Sequence, residues 1–227
     1  MLFVSAYGFG YNESQDDYKV VKVEPSCKRN EFGEFELLND VSVYSLKTNS
    51  WEMILEKFPS VCFRNDPAKF VSGRLHWIAT RNRDNIGPWF IASLNLIDLT
   101  YEEVALPPYV DNDNIKWKLG ILGGNLCLFC HCNIILMDVW IMMENGVVES
   151  WTKVVSIPYF VELDYGLWPI FISQNDDILL QGCSSLLLYN STHNDLKQTK
   201  TQIHYSSRVQ FSLYIESLVP PNFVEED

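Results

Sequence analysis

The sequence predicts an all-β domain, a β-propeller whose blades are four-stranded antiparallel sheets. Aromatic residues make up 14% of the 227 residues and charged residues only 20%, which is typical of folded, strand-rich domains. A strand–turn–strand unit also recurs along the chain, and the residue that follows its turn is Trp51, Tyr101, Trp151 or Leu196. These positions lie 50, 50 and 45 residues apart, which is the period of propeller blades built from short strands.

The clearest copy of this unit spans residues 136–157 around Glu144-Asn145-Gly146. Asn-Gly is a strong hairpin signal because both residues tolerate positive φ. The run before the turn is apolar on both sides except at Asp138, whereas the run after it alternates between polar and apolar residues. We therefore expect a tight hairpin that forms the outer half of a sheet whose inner strands are covered.

Each blade is predicted to contain four strands, ordered from the propeller axis outward. They fall at residues 3–7, 18–23, 41–46 and 51–55; 68–71, 74–79, 90–95 and 101–105; 116–122, 126–132, 136–143 and 149–157; and 167–172, 178–181, 186–189 and 196–201. One further strand at 209–215 would begin a fifth blade that the chain does not complete. The predicted interaction domain spans residues 1–219, and residues 220–227 form a short acidic tail.

The predicted connections differ in length according to the strands they join. Those between the first and second strands, or the third and fourth, are mostly tight, as at Ser72-Gly73 and Gly123-Gly124. Long connections follow the second or fourth strands, at 24–40, 56–67, 80–88, 106–115 and 158–166. Alternate connections of an antiparallel sheet lie at opposite ends. The long ones would therefore gather on one rim, and loops on a rigid scaffold commonly carry binding residues.

The candidate target-binding residues are aromatic, basic and acidic side chains of these long connections. Aromatic and arginine side chains dominate the binding energy of protein interfaces, which are bordered by polar residues. The candidates are Phe32, Phe35, Arg81, Arg83, Tyr109, Asp111, Asp113, Tyr159, Phe160 and Tyr165. The sequence leaves open the alternative that several of these rings pack back onto the blade ends.

Composition and charge exclude several classes of partner. The formal net charge of −12 lacks the basic footprint of a nucleic-acid-binding surface, and an anionic membrane would repel the chain. No apolar run reaches the roughly 18 residues of a membrane-spanning helix, and the N-terminus lacks the basic start of a signal peptide. We expect a cytoplasmic or nuclear protein whose six cysteines stay reduced.

The sequence Cys127-x-x-Cys130-His131-Cys132 contains residues that bind zinc in other proteins. A zinc site needs four ligands that converge on one point, usually from two separated pairs. Here the residues lie within one predicted strand, and alternation sends Cys127 and Cys130 to opposite faces. A packed core strand is therefore favoured over a metal site.

The acidic stretch Asp111-Asn-Asp-Asn114 resembles the start of a calcium loop. It has Lys116 where that loop needs glycine and Leu122 where it needs glutamate, so a solvated acidic loop is favoured. The sequence also has no nucleophile elbow and no phosphate-binding glycine loop. It therefore predicts no catalytic residue, no metal and no cofactor.

Several motifs, in order along nearly the whole chain, resemble those of one known family. They are Tyr7-Gly-Phe-Gly-Tyr-Asn, Asp17-Tyr-Lys-Val-Val, Leu75-His-Trp-Ile, Met137-Asp-Val-Trp-Ile-Met, Glu149-Ser-Trp-Thr-Lys and Tyr214-Ile-Glu-Ser-Leu-Val-Pro. The set is similar to the F-box-associated domain of plant F-box/kelch-repeat-type proteins, which include S-locus F-box-like proteins. The resemblance implies a kelch-like propeller that is not an enzyme and that binds a target protein for a Skp1–cullin–F-box ubiquitin ligase.

The same resemblance raises a question about the N-terminal side. Skp1 and cullin would be reached only through an F-box, and no F-box helices precede residue 1. A closed propeller also needs partner strands for the strand at 209–215. In the family that the chain resembles, these partner strands come from a segment that would precede Met1. We therefore expect an open sheet edge, in either a fragment or a shortened protein.

Two alternatives to the ligase receptor stay open on the sequence. One is a shortened family member that binds the target without recruiting a ligase. The other is a propeller enzyme, which needs polar or metal-binding side chains along the axis. The predicted inner strands at 116–122 and 167–172 are mostly apolar, which counts against the enzyme.

Overall fold

The computed structural model describes residues 5–29, 33, 35–54, 58–64, 66–82, 87–107, 116–131, 136–158, 168–173, 177–182, 185–193 and 195–202. Within them the chain forms seventeen β-strands and a single 3-10 turn, which confirms the predicted all-β class. The chain divides into two compact units, Met1–Ile157 and Pro158–Asp227. The first contains three antiparallel sheets and the second contains one.

Sheet 1 consists of β1 (Ala6–Asn12), β2 (Asp17–Arg29), β3 (Phe35–Ser45) and β4 (Ser50–Ile54), paired in that order. The predicted first strand at 3–7 was wrong in its position. Gly8 and Gly10 lie within β1, although glycine usually weakens a strand. A Cβ at Gly8 would lie 2.7 Å from Leu75 and 2.9 Å from Trp77, so β1 needs glycine in order to approach sheet 2 this closely.

The predicted long connection at 24–40 was also wrong. β2 and β3 continue as a paired hairpin from Glu24↔Asp40 to Arg29↔Phe35. This segment, which we call the arm (residues 24–29 and 35–40), extends past the pairing of β1, which ends at Val23, and of β4, which ends at Val41. Pro25 and the polar residues around it favour a loop in the sequence. In the structure each strand of the arm pairs only with the other, so both are edge strands, where a proline without its N–H is tolerated.

Sheet 2 consists of β5 (Cys62–Phe63), β6 (Lys69–Val71), β7 (Arg74–Thr80), β8 (Trp89–Asn95) and β9 (Tyr101–Ala105). β5 lies inside the predicted connection at 56–67, which is therefore not entirely a loop. β5 and β6 pair with the two ends of β7, so the first strand of this sheet is interrupted. At the interruption, the Ala68 N–H donates to the Tyr7 carbonyl of sheet 1 at 3.0 Å.

Sheet 3 consists of β10 (Lys116–Leu122), β11 (Asn125–His131), β12 (Leu136–Met142) and β13 (Trp151–Pro158). The Asn145-Gly146 turn differs from the prediction, because only Gly146 has positive φ. The Val147 N–H donates to the Glu144 carbonyl at 3.1 Å, and a 3-10 turn at Val148–Ser150 follows where strand was predicted. The connection is therefore longer than a two-residue hairpin turn.

The core of the first unit lies between its sheets. One apolar cluster, which includes Val21, Leu75 and Trp77, fills the space between sheets 1 and 2. A second, which includes Ile78 and Leu128, fills the space between sheets 2 and 3. Because β6 lies next to both β1 and β10, the first strands of the three sheets are neighbours, as predicted for inner strands.

Sheet 4, in the second unit, consists of β14 (Trp168–Ile172), β15 (Asp177–Gln181), β16 (Ser185–Asn190) and β17 (Asp195–Gln202), paired in that order. Irregular pairing at Pro169/Phe171 places the proline at a bulge of an edge strand, where its missing N–H is tolerated. The predicted strand at 209–215 lies outside the described residues.

The repeat predicted from the sequence corresponds to the sheets. Their outer strands begin at Ser50, Tyr101, Trp151 and Asp195. Equivalent, partly buried polar contacts also recur at the tight turns. Asp17 accepts from the Ser45 hydroxyl at 2.6 Å and from the Lys47 N–H at 2.9 Å, and Asp177, at the same place in sheet 4, accepts from Asn190 at 2.5 Å.

Candidate recognition surface

The connections at the two ends of sheet 2 differ in length, with short turns at one end and longer connections at the other. In the first unit the tight turns occupy residues 13–16, 46–49, 72–73, 96–100 and 123–124, whereas residues 81–88 and 106–115 connect strands at the opposite ends. We call the latter the loop ends. At the tight-turn ends, Asn12 Nδ2 donates to the Leu96 carbonyl at 2.6 Å, which joins sheets 1 and 2. The predicted separation of short and long connections is therefore present in sheet 2, and in sheet 1 the arm replaces the long loop. In sheet 3 the prediction was wrong, because residues 143–150 form a long connection at the end that carries the turn 123–124, whereas only residues 132–135 separate β11 from β12.

Phe35 is the first residue of β3 and lies near the tip of the arm. It was predicted in a loop, but it pairs with Arg29 in the ladder. Its ring is 66% exposed, and the Arg29 guanidinium lies 4.9 Å from the ring centroid. The pair presents an aromatic face and a cation together, which suits a protein-binding site.

The base of the arm is fixed by a buried asparagine. Asn39 Nδ2 donates to the carbonyls of Pro59 at 2.9 Å and Val61 at 3.0 Å. Both acceptors belong to the segment between sheets 1 and 2, so the arm is tied to the scaffold where it leaves the sheet. A fixed base lowers the entropy that an exposed tip loses on binding.

Arg81 follows β7 at the loop end of sheet 2. Its Nη2 lies 2.6 Å from Glu103 Oε1, which also accepts from the Tyr101 hydroxyl at 2.9 Å. The guanidinium lies 5.7 Å from the ring centroid of Phe90. Burial, followed by the hydrogen bond to Glu103, raises the Tyr101 pKa well above its usual value, so this hydroxyl stays a donor. The cluster holds Arg81 in one orientation while its side chain remains exposed.

The structure does not bring Phe35 and Arg81 into one cluster; each has its own partners. The other sequence candidates lie outside the described residues and stay predictions. They are Phe32, Arg83, Tyr109, Asp111, Asp113, Tyr159, Phe160 and Tyr165.

The sequence reasoning missed a second exposed surface, on the face of sheet 1 that points away from sheet 2. There Tyr7 and Phe9 of β1 and Trp51 of β4 are each about half exposed. The alternation of aromatic residues with glycine in Tyr7-Gly8-Phe9-Gly10-Tyr11 is the signal that could have found it.

The cysteine motif behaves as the packed strand that the sequence favoured. Cys127 and Cys130 are fully buried, are not in disulfides and lie on opposite faces of β11, whereas Cys132 lies outside the described residues. Burial raises the Cys127 pKa well above its usual value, which keeps the thiol protonated. Across the part of the chain that the structure describes, no three His, Cys, Asp or Glu side chains are grouped to hold a metal ion. In that same part, no helix has the length and apolar character to cross a membrane.

Comparison with known proteins identifies the family. The model of the F-box associated beta propeller domain family matches residues 3–221. An F-box/kelch-repeat protein of Arabidopsis thaliana is 30% identical over 228 residues, covering 96% of this chain and 57% of its own length. The F-box protein CPR1 of the same plant is 33% identical over 165 residues, covering 66% of this chain and 40% of its own. The chain belongs to the F-box associated β-propeller domain family.

The chain spans about half the length of these relatives. Among solved structures, that of YjhT aligns with 86% of this chain and 70% of its own, with a TM-score of 0.48 and 11% identity. A gluconolactonase from Xanthomonas campestris aligns with 87% of this chain and 77% of its own, with a TM-score of 0.38 and 8% identity.

Proposed function

We propose that this chain is the substrate-recognition module of a Skp1–cullin–F-box ubiquitin ligase. In this proposal it binds a target protein through the loop ends of its sheets and catalyses nothing itself. The observation that carries the proposal is the family match across residues 3–221, together with relatives that are F-box proteins.

The geometry of the loop ends supports target binding there. Phe35 on the arm and Arg81 beside β7 expose side chains of the kinds that dominate interface energies, and each is held by a neighbouring side chain. The tight-turn ends have their polar groups satisfied internally, as with Asp17, Ser45 and Lys47. The tight-turn ends therefore offer a protein partner fewer unpaired hydrogen-bonding groups than the loop ends would.

The mechanism in this proposal is positioning. A rigid module that holds the target near a ligase raises the effective concentration of the target's lysines at the ubiquitin carrier. Skp1 and cullin would be engaged through an F-box outside the residues printed here. The match at 3–221 concerns the associated domain alone.

Quantitative affinity purification from Arabidopsis extract tests the proposal. The wild-type chain is compared with a loop-end variant (Phe35→Ser with Arg81→Ala) and a matched tight-turn variant (Ile97→Ser with Lys47→Ala), all four positions being exposed. We expect a set of proteins captured by the wild type and the tight-turn variant, lost from the loop-end variant, and increased by proteasome inhibition. Equal capture by the two variants would contradict binding at the loop ends.

A second measurement in this experiment distinguishes a ligase receptor from a shortened family member that binds the target without recruiting a ligase. Skp1 is measured in the same eluates, for this chain and for a longer product that includes an F-box. Skp1 recovered with the longer product and the same target set recovered with both support a ligase receptor. The same targets without Skp1 from either product would favour a binder that recruits no ligase.

A further inference from the structure

A half-buried lysine lies where the first strands of sheets 2 and 3 meet. Lys69 begins β6, and strand alternation places it on the same face as Val71, which is buried between these two sheets. β6 lies next to β10, the first strand of sheet 3, which contains Lys118. Both lysines belong to the first compact unit, Met1–Ile157. The two amines are therefore held near each other by the packing of neighbouring sheets within one unit.

The Lys69 amine has no acidic partner. Among the described residues, none forms an ion pair or a hydrogen bond with its Nζ, whereas Lys153 of β13 pairs with Asp138 at 3.4 Å. His76 lies directly opposite Lys69 in the ladder, and it is neutral because burial lowers its pKa to about 4. A charge on Lys69 thus lacks the compensation that charges removed from water normally have.

The groups around this amine disfavour its charged form. Burial is the largest cause that lowers the Lys69 pKa, and the positive charge of Lys118 acts in the same direction. Asp66 opposes them with a smaller effect, and a thiolate at Cys127 would do the same, but burial keeps that thiol protonated. At neutral pH Lys69 therefore has more uncharged amine than an exposed lysine, and only the uncharged amine is a nucleophile.

We propose that Lys69 is a site of carbamate formation and that its carbamate pairs with Lys118. The Nζ lone pair attacks the carbon of carbon dioxide, a C–N bond forms, one C=O electron pair moves onto oxygen, and the nitrogen loses a proton to water. The side chain then ends in an anion. Repulsion between the two lysines becomes attraction between the first strands of two sheets.

Carbon dioxide suits this position better than larger acyl donors. It is small and uncharged, so it reaches a half-buried amine without needing an open groove. Acyl phosphates and similar donors are anions, which the net charge of −12 repels from the chain as a whole. The inference does not depend on the proposed ligase function.

Carbamate trapping on the full chain in isotopically labelled bicarbonate tests this inference. At neutral pH, triethyloxonium converts each carbamate to a stable ethyl carbamate, which peptide mass spectrometry locates. We expect Lys69 to carry several-fold more label than Lys153 of the same molecule. A carbamate resonance in the carbon NMR spectrum that is lost in Lys69→Arg gives a second readout, which needs no access by the trapping reagent.

Lys118→Gln is expected to reduce the label at Lys69 several-fold, because it removes both the charge that disfavours the ammonium and the partner of the carbamate. The matched control is Lys153→Gln, which removes an equal charge from sheet 3 and should leave the label at Lys69 unchanged. Circular dichroism checks that each variant is folded. The proposal is overturned by label at Lys69 no greater than at Lys153, by unchanged label in Lys118→Gln, or by a carbamate spectrum that is the same in wild type and Lys69→Arg.

Discussion

The imidazole of His76 is fully buried on β7, on the face that also carries Ile78. Burial lowers its pKa to about 4, and the positive charge of Arg74 acts in the same direction. Lys69 of β6 lies directly opposite His76 in the ladder. The native state therefore holds a neutral histidine over a pH range in which the unfolded chain takes up a proton.

Replacing His76 by leucine is expected to flatten the dependence of stability on pH. Because the native pKa is below the unfolded value of about 6.5, this residue's contribution is fully present above pH 6.5 and falls as the pH drops toward 4. The loss amounts to roughly 3 kcal/mol, at about 1.4 kcal/mol for each of about 2.5 pH units. Urea unfolding at neutral and acidic pH measures this loss of unfolding free energy. An equal change of unfolding free energy with pH in wild type and His76→Leu would contradict a buried neutral His76.

Gly8→Ala is expected to destabilise the protein by about 1–3 kcal/mol. The added Cβ would lie 2.9 Å from Trp77, and that ring cannot retreat freely because its indole N–H donates to the Tyr7 carbonyl at 3.1 Å. The comparison is Tyr7→Ala at the neighbouring position, whose side chain points away from sheet 2 and which should have a smaller effect. Thermal unfolding of the two variants provides the measurement, and equal losses would show that β1 does not need its glycines for close packing.

At the scale of the element, the arm depends on Asn39. Asn39→Ala leaves the buried Val61 carbonyl and the partly buried Pro59 carbonyl without this donor, at an expected cost of about 1–3 kcal/mol. Hydrogen exchange is expected to become faster in the arm and at residues 58–63, and not in β7 or β8. Ser42→Ala, on the other face of β3, is the control. Unchanged exchange in the arm would mean that its pairing alone holds it.

Strands were predicted correctly from the sequence where a β-rich run was bounded by a clear turn signal. The strands at 101–105 and 116–122 have the bounds expected of them, and the turns Ser72-Gly73 and Gly123-Gly124 have positive φ at both residues. Prediction failed where tertiary contacts overrode local signals. The glycines of β1 are needed for contact with sheet 2, and the arm forms although Pro25 favours a loop.

The candidate site was predicted only in part. Phe35 and Arg81 lie at loop ends as predicted. The side chains that orient them, Arg29 and Glu103, were not predicted, because their positions depend on which strand residues lie opposite each other. The exposed aromatic side chains of sheet 1 were missed because the first strand was placed at 3–7, so Phe9 and Tyr11 were not assigned to a strand. A correct register for β1 would have put them on one face.

At the scale of the whole molecule, family and fold agree with the sequence prediction. The motifs that suggested the family run from Tyr7 to Pro220, and the family match spans residues 3–221. A repeated sheet whose tight turns are internally satisfied provides a rigid support, and its longer connections are where members of one fold can differ.

Hydrogen exchange of the chain with and without a captured target protein tests the central claim most directly. Target binding at the loop ends predicts slower exchange in the arm near Phe35 and in the residues that flank Arg81. Exchange should be unchanged at the tight turns around Ser72-Gly73 and Gly123-Gly124. Protection confined to those tight turns, or no protection in either region, would contradict a recognition role for the loop ends.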